Sequence, residues 1–237
     1  MLPEWKYNQI SRVKMLVNKI LTKFRLKKND IQLFDNRIEI IKQLSIAIDD
    51  VVKFYGIDKN KFFQNINNWK ITEKRLFENA KNLREFYESW NDQAAVENAC
   101  ANIFNQLICF ENYNVCAKYT IKSDVVIDYG CGTGALSLAL ALSGKIKNKL
   151  IQLDVPNDIS KLRQFRIEKH NLTNVINENI FLFNEKDVAD LIICIDVLEH
   201  IEDSSSVFIN NIYPLLKVGG YMILRAPWRG QLTHIDQ

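Results

Sequence analysis

A chain of 237 residues with 47% hydrophobic and 25% charged residues has the composition of a folded globular protein, which excludes global disorder. No apolar stretch approaches the roughly 18 residues that cross a membrane, and the N-terminus lacks the apolar core of a signal peptide. The five cysteines are odd in number and have no metal-ligand spacing. We therefore expect reduced thiols, no metal and a cytoplasmic protein.

The net charge of +3 is unevenly distributed, because residues 1–28 hold eight basic groups and one acidic group. Apolar residues recur at three- and four-residue steps through this segment, which predicts an amphipathic helix. A basic helix can contact nucleic acid or a membrane surface. No basic patch with interleaved aromatic residues accompanies it, so we favour a helix that docks by its apolar stripe.

The next hundred residues also have helical periodicity. A helix over residues 31–55 is predicted to end at Gly56, since glycine is the usual residue after a helix C-terminus. A second helix is predicted to begin at Thr72, as the N-cap, and to extend to residue 90. A third is predicted over residues 93–118. These segments predict an all-helical region at residues 1–91, which caps the site or contacts substrate or a partner.

Strands and helices alternate from residue 123 onwards. The predicted strands are residues 124–129, 149–155, 175–183, 188–197 and 221–227, and the helices between them are residues 135–144, 157–172 and 203–220. Near-continuous apolar strands that alternate with helices predict a parallel sheet covered on both faces. The prediction is an α/β fold with a Rossmann-like, doubly wound and mainly parallel sheet of about five strands in residues 92–237.

Three glycines, Gly130, Gly132 and Gly134, follow the first strand and precede a helix. Bare backbone lets a ligand approach closely, and the first turn of a helix offers free N–H groups. Dinucleotides and adenosine cofactors such as S-adenosylmethionine both use such a turn. Ala135 completes a G-x-G-x-x-A dinucleotide pattern, so the glycines alone leave both ligand classes open.

Acidic residues around the glycines favour an adenosine cofactor such as S-adenosylmethionine over a dinucleotide. Asp128 ends the first strand, where a carboxylate suits an ammonium and a sulfonium better than a pyrophosphate. Asp154 ends the second strand, where a carboxylate can accept both ribose hydroxyls. Residues 196–200, with the sequence DVLEH, follow the fourth strand. These motifs predict a ligand site at the carboxyl ends of the strands.

The motifs between about Val125 and Pro227 closely resemble those of the class I S-adenosylmethionine-dependent methyltransferases, in the small-molecule branch with a DVLEH motif. The resemblance implies that the glycines line the methionine portion of the cofactor, that Asp128 holds its amino group and that Asp154 binds its ribose. The residues that the resemblance places at the cofactor are Asp128, Tyr129, Gly130, Cys131, Gly132, Gly134, Asp154, Val155, Asp196, Val197 and Leu198. For the contact to adenine, Asn179, Asn184 and Asp187 are alternatives.

The resemblance also implies the reaction. An O, N or C nucleophile of a small molecule or peptide would attack the sulfonium methyl in line, and most of the catalysis would come from positioning and desolvation. His200 and His234 are candidate catalytic residues, with packing and simple solvation as their alternatives. Glu199 is expected to be solvated and Asp203 to be an N-cap.

The end of the sequence departs from the family pattern. The family closes its sheet with a hairpin beyond the fifth strand, whereas ten residues follow Pro227 here. We expect either an incomplete domain or self-association through the exposed fifth strand. A non-catalytic adenosine- or partner-binding module and an NAD-dependent oxidoreductase are the alternative functions.

Overall fold

The structure is a computed structural model that describes residues 29–226, with side chains from residue 36 onwards. It divides the chain into two compact units, Met1–Arg37 and Ile38–Gln237. The predicted boundary at residues 91 and 92 stays a prediction. The basic helix of residues 1–28, the C-terminal tail and His234 lie outside the described residues. Within the described part, no helix is long and apolar enough to span a membrane.

Five helices precede the sheet. They are α1 (Asn29–Tyr55), α2 (Lys59–Asn79), α3 (Leu83–Glu88), α4 (Asp92–Ile108) and α5 (Phe110–Thr120). The predicted end of α1 is confirmed, because Gly56 follows it with φ of 64°. α2 begins after Asp58, whose carboxylate accepts a hydrogen bond from the Lys61 N–H at 2.7 Å.

Two helix boundaries in this region were predicted wrongly. Thr72 is not an N-cap but lies inside α2, where its buried hydroxyl donates to a Glu97 carboxylate oxygen at 2.5 Å. The helix predicted over residues 93–118 is two helices, because the backbone leaves helical geometry at Cys109, with ψ of 78°. In the first case a contact between helices overrides the local N-cap pattern. In the second a local backbone break interrupts the periodic apolar pattern.

The sheet has five parallel strands in the order β3-β2-β1-β4-β5. The strands are β1 (Val125–Tyr129), β2 (Lys149–Asp154), β3 (Val175–Asn179), β4 (Ala189–Ile195) and β5 (Leu216–Arg225). α6 (Ala135–Leu142) follows β1, and α7 (Asp158–Lys169) follows β2. Alternate strand residues enter two separate core clusters, with Val126 and Leu150 in one and Ile127 and Ile151 in the other. The predicted fold class is confirmed.

The connection between β4 and β5 is less regular than predicted. Asp203 is the N-cap, as expected, and accepts from the Ser206 N–H at 3.0 Å. The helix α8 (Ser204–Val207) then continues as a π-helical turn, Phe208–Ile212, and a 3₁₀ turn, Tyr213–Leu215. Residues 216–220, which were predicted to end the helix of residues 203–220, belong to β5 instead; Gly219 there has φ of 81°, and the pairing with β4 shifts register.

Strand order reverses between β1 and β4, because β2 lies on one side of β1 and β4 on the other. Crossover connections leave in opposite directions at such a point and open a crevice at the carboxyl ends of the strands. In this fold those ends are Tyr129, Asp154, Asn179 and Ile195. We call this row of strand ends, with the loops that follow them, the carboxyl edge.

Candidate functional site

The glycine turn, residues 130–134, connects β1 to α6 at the carboxyl edge. Gly130, Gly132 and Gly134 have φ of 69°, 55° and 65°, a left-handed geometry that favours glycine. A Cβ atom on Gly130 would come within 2.6 Å of a Val197 methyl group. The turn therefore packs directly against the segment that follows β4, and a side chain at Gly130 would separate the two.

Asp154 joins the end of β2 to the glycine turn. One carboxylate oxygen accepts a hydrogen bond from the Gly132 N–H, and the other accepts from the Val155 N–H at 2.7 Å. Burial raises the pKa of the Asp154 carboxyl, while the nearby Arg163 charge and the two N–H donors oppose that shift. The structure thus brings together two features of the predicted site, the acid after the second strand and the glycines after the first.

Asp128 is buried at the end of β1 and is only 6% exposed. Burial and the charge of Asp154 raise the pKa of Asp128 to about 7, against a hydrogen bond with Ser137 and the charge of Arg163. Ser137 also accepts a hydrogen bond from Gln152 Nε2 at 2.8 Å. Asp128 therefore joins a polar group under the start of α6 that links β1, α6 and β2.

The DVLEH segment continues the carboxyl edge on the other side of β1. Asp196 has φ of 57°, and its carboxylate lies 3.1 Å from Nε of Arg225 on β5. Val197 packs on the glycine turn, and Leu198 is buried at the start of a short 3₁₀ turn. The His200 ring faces the edge of the Tyr87 ring with centroids 6.1 Å apart. The segment is therefore beside the glycine turn, as its predicted role requires.

Glu199, in the same segment, is fully buried, so its expected solvation is wrong. Neither of its carboxylate oxygens has a hydrogen-bond partner among the described residues. Burial and the charge of Asp196 raise the pKa of Glu199 to about 7, against the opposing effects of its own backbone N–H and of the Arg225 charge. Its place in DVLEH, directly after residues that flank the turn, is the one sequence signal that sets it apart from a surface acid.

The three alternatives for the adenine contact lie in different places. Asn179 ends β3 and is level with Asp154 in the strand register, so it is at the carboxyl edge. The Asp187 N–H donates to the Pro214 carbonyl near the amino end of β4, at the opposite edge of the sheet. Asn184 is exposed in the connection between them. Only Asn179 is close to the other predicted residues.

Three polar side chains that hold the glycine turn were not predicted. Asn102 of α4 accepts a hydrogen bond from the Thr133 hydroxyl at 2.5 Å. Arg163 and Arg166 of α7 donate to the carbonyls of Gly132 and Thr133, respectively. Local sequence gives no sign of these contacts, because arginines in a polar helix normally face solvent. Within residues 29–226, no three His, Cys, Asp or Glu side chains are grouped as a metal site requires.

Residues 121–236 match the model of a family described as a methyltransferase domain. The ubiquinone biosynthesis O-methyltransferase of Pseudomonas putida (strain W619) is 33% identical over 103 residues, which are 44% of each chain. The protein of the same name from Coxiella burnetii (strain Dugway 5J108-111) is 32% identical over 103 residues, 44% of this chain and 43% of its own. The chain thus spans less than half the length of these curated relatives.

One solved structure to which this chain is similar is that of a proposed S-adenosyl-L-methionine-dependent methyltransferase from Methanococcus maripaludis. It is 26% identical, covers 51% of this chain and 55% of its own, and superposes with a TM-score of 0.42. The strand order, the glycine turn with Asp154 beside it, and the family match agree with one another. Residues 121–236, just under half of the chain, are therefore similar to a methyltransferase domain, and the strand order and the Asp154–Gly132 contact agree with that match.

Proposed function

We propose that the protein transfers the methyl group of S-adenosylmethionine to a nucleophile of a small molecule or peptide, and that the cofactor binds at the glycine turn. The observation that carries this proposal is the contact between Asp154 and Gly132, on the β1–β2 side of the point where strand order reverses. That contact places a carboxylate beside bare backbone in a domain of the methyltransferase family.

The chemistry of these residues fits the cofactor. Each Asp154 oxygen already accepts one backbone N–H, and a carboxylate has about four acceptor positions, so two remain for a pair of ribose hydroxyls. Val155 follows it in the same loop, and Asn179 on the adjacent strand is the residue we assign to the adenine side. The three glycines would line the methionine portion, with Tyr129 and Cys131 supporting the turn from the core.

Asp128 has a narrower role in this proposal than the family resemblance implies. It is buried and hydrogen-bonded to Ser137, so its nearest function is to hold the start of α6 and the turn in place. Its carboxyl would reach the amino group of the cofactor only from within the core. We therefore propose that Asp128 supports the turn at the methionine end of the site.

When bound, the cofactor supplies a methyl group that its sulfonium already activates. The chain has then to bind and orient the two reactants and to exclude water. Val197 and Leu198 would form an apolar wall beside the turn, and Asp196 is fixed by its ion pair with Arg225. His200, against Tyr87, is the described residue that we assign to proton removal from the acceptor. A catalytic role for His234 stays a prediction.

The names of the curated relatives bear on the methyl acceptor. The two curated relatives are named as O-methyltransferases, which favours an oxygen nucleophile here. A non-catalytic module that binds the cofactor remains the alternative, since the match covers less than half of each relative. All five cysteines have free thiols, which supports the proposed cytoplasmic location.

Calorimetric titration tests this proposal directly. We expect S-adenosylhomocysteine and S-adenosylmethionine to bind with one site per chain, and NAD to give no binding heat. Release of S-adenosylhomocysteine from S-adenosylmethionine in the presence of phenol, amine and carboxylate acceptors then separates the enzyme from the binding module. Binding of NAD without S-adenosylhomocysteine would overturn the proposal.

A further inference from the structure

A buried ionic cluster connects α1 to α7. Its acidic member, Asp50, lies about 80 residues before the glycine turn in the sequence. Asp50 of α1 is completely buried and contacts three basic side chains. Its carboxylate lies 3.1 Å from Arg166 Nε, 2.6 Å from Lys169 Nζ and 3.0 Å from His170 Nε2. Arg166 is itself only 1% exposed. An unpaired buried charge is strongly destabilising, so each member of the Asp50–Arg166 pair depends on the other.

Arg166 also reaches the glycine turn. Its Nη1 donates to the Thr133 carbonyl at 3.3 Å. One helical turn earlier, Arg163 is also buried; its Nη1 donates to the Gly132 carbonyl and its Nε donates to Asn177 Oδ1 at 2.9 Å. Two buried arginines, three residues apart on α7, therefore hold two consecutive carbonyls of the turn.

These contacts restrict the backbone conformation of the glycine turn, which its three glycines would otherwise leave flexible. A carbonyl and the next N–H share one rigid peptide plane, so holding the Gly132 and Thr133 carbonyls also orients the N–H groups of Thr133 and Gly134. Fixing the backbone of a free residue costs roughly 1–2 kcal/mol of conformational entropy. Because the arginines already fix the turn in the folded protein, ligand binding does not have to lose this conformational entropy.

We propose that Asp50, Arg163 and Arg166 are positioning residues of the cofactor site. In this arrangement Asp50 holds Arg166 against the glycine turn, and so α1 contributes to cofactor affinity although it lies about 70 residues before the domain match begins. The inference rests on the proposed function, because it assumes that the turn binds S-adenosylmethionine.

The charge state of Asp50 agrees with this role. Burial alone would raise the pKa of Asp50, but Arg166, Lys169 and His170 together hold it below its usual value. Asp50 therefore carries its charge at neutral pH, and replacing it with asparagine removes that charge at nearly constant shape. Asp49, the preceding residue, offers a matched control, since its side chain is 51% exposed and pairs only with Lys59, at 2.7 Å, among the described ion pairs.

The experiment is a calorimetric titration of S-adenosylhomocysteine into the full chain and its variants, well below the melting temperature of each. We expect D50N and R166M to weaken binding at least about fivefold, and D49N to change it by less than about twofold. The double variant D50N/R166M should lose no more affinity than R166M alone, since Asp50 acts through Arg166. A role in stability alone would lower the melting temperature and leave the affinity of the folded protein unchanged.

R163Q provides a second test that leaves the Asp50 cluster intact. It should weaken S-adenosylhomocysteine binding, and hydrogen exchange of the Thr133 and Gly134 amides should accelerate in R163Q and D50N but not in D49N. If the wild type binds and both D50N and R163Q bind equally well, this inference is wrong and the proposed function stands. If the wild type itself does not bind, the proposed function fails and the inference fails with it.

Discussion

The two sides of the carboxyl edge differ in how one acidic side chain on each side, Asp154 or Glu199, is paired. On the β1–β2 side, the Asp154 carboxylate accepts from Gly132 and Val155, and arginines hold the carbonyls of the turn. On the β4 side, Glu199 is fully buried and neither of its oxygens has a partner among the described residues. The Asp154 carboxylate is thus paired within the protein, whereas the Glu199 carboxyl is buried without a partner among the described residues.

Because of this difference, we expect substitutions on one side to affect cofactor affinity and substitutions on the other to affect the free energy of unfolding. Substitutions on the β1–β2 side should change how tightly the cofactor binds, because the proposed cofactor site includes the glycine turn and Asp154 there. Substitutions at Glu199 should change the free energy of unfolding and its dependence on pH, because an unpartnered buried carboxyl is stable mainly in its protonated form. The predictions follow in order of decreasing effect.

The largest effect is expected for G132V. A β-branched residue is strained at φ of 55°, and its Cβ would lie 3.3 Å from the Asn102 amide, so that either Asn102 or the turn would have to shift. G144V is the matched control, because Gly144 has φ of 68° with nothing within 4 Å of an added Cβ. Both variants should lose roughly 1–3 kcal/mol of stability, but only G132V should lose detectable S-adenosylhomocysteine binding in calorimetry. Equal binding by the two would show that the turn does not contact the cofactor.

A smaller loss of affinity is expected for D154A. A charge-assisted hydrogen bond contributes ~1.5–3 kcal/mol, which corresponds to at least about a tenfold increase in the dissociation constant. D190A is the control, since Asp190 also accepts a backbone N–H, from Val125 at 2.8 Å, but lies at the amino end of β4. If D190A weakened S-adenosylhomocysteine binding as much as D154A, the effect would be one of fold stability and not of contact.

How far these two sides can be predicted from sequence depends on the range of the contacts involved. Strands such as β4 were predictable because a buried parallel strand contains a continuous apolar run, as in residues 191–195. The glycine turn and Asp154 were predictable because both lie at strand ends, where the topology itself brings them together.

The remaining features depend on contacts that are distant in the sequence. Thr72 resembles an N-cap locally, but its hydroxyl bonds to Glu97, 25 residues later. Arg166 resembles a surface residue of a polar helix, and it is buried only because Asp50, 116 residues earlier, neutralises it. Glu199 also depends on distant contacts. The polar residues that follow it in the sequence predict exposure, but the packing of the DVLEH segment buries it.

The next effect concerns stability on the β4 side. The folded protein raises the pKa of Glu199 from 4.5 to about 7, so the protonated form is favoured and its stabilisation is lost as pH rises through about 7. The variant E199Q cannot ionise and should be more stable than the wild type above pH 7, by on the order of 2 kcal/mol, with little difference near pH 5. Thermal melts between pH 5 and pH 8.5 measure this gap.

The control for that comparison is E185Q, because Glu185 is exposed. Its melting temperature should follow that of the wild type at every pH. A constant offset between E199Q and the wild type across the pH range would contradict the assignment of a protonated, unpartnered Glu199.

The smallest effect concerns the outer strand of the β4 side. In the described sheet β5 pairs only with β4, and it exposes Tyr221 and Leu224. We expect weak, concentration-dependent self-association that L224K reduces, because a charged residue opposes pairing between strand edges. I71K, which adds the same charge at an exposed position of α2, should not reduce it. Sedimentation velocity measures the association, and a monomer at all concentrations would contradict this prediction.

Hydrogen exchange of the wild-type protein with and without S-adenosylhomocysteine tests the central claim most directly. A cofactor bound at the carboxyl edge should slow exchange in residues 130–134 and 154–155, and more weakly in residues 196–200. Residues 118–123 and 217–221 surround the opposite, amino edge of the sheet and should exchange at unchanged rates. Protection at the amino edge, or binding without protection of the glycine turn, would contradict the account.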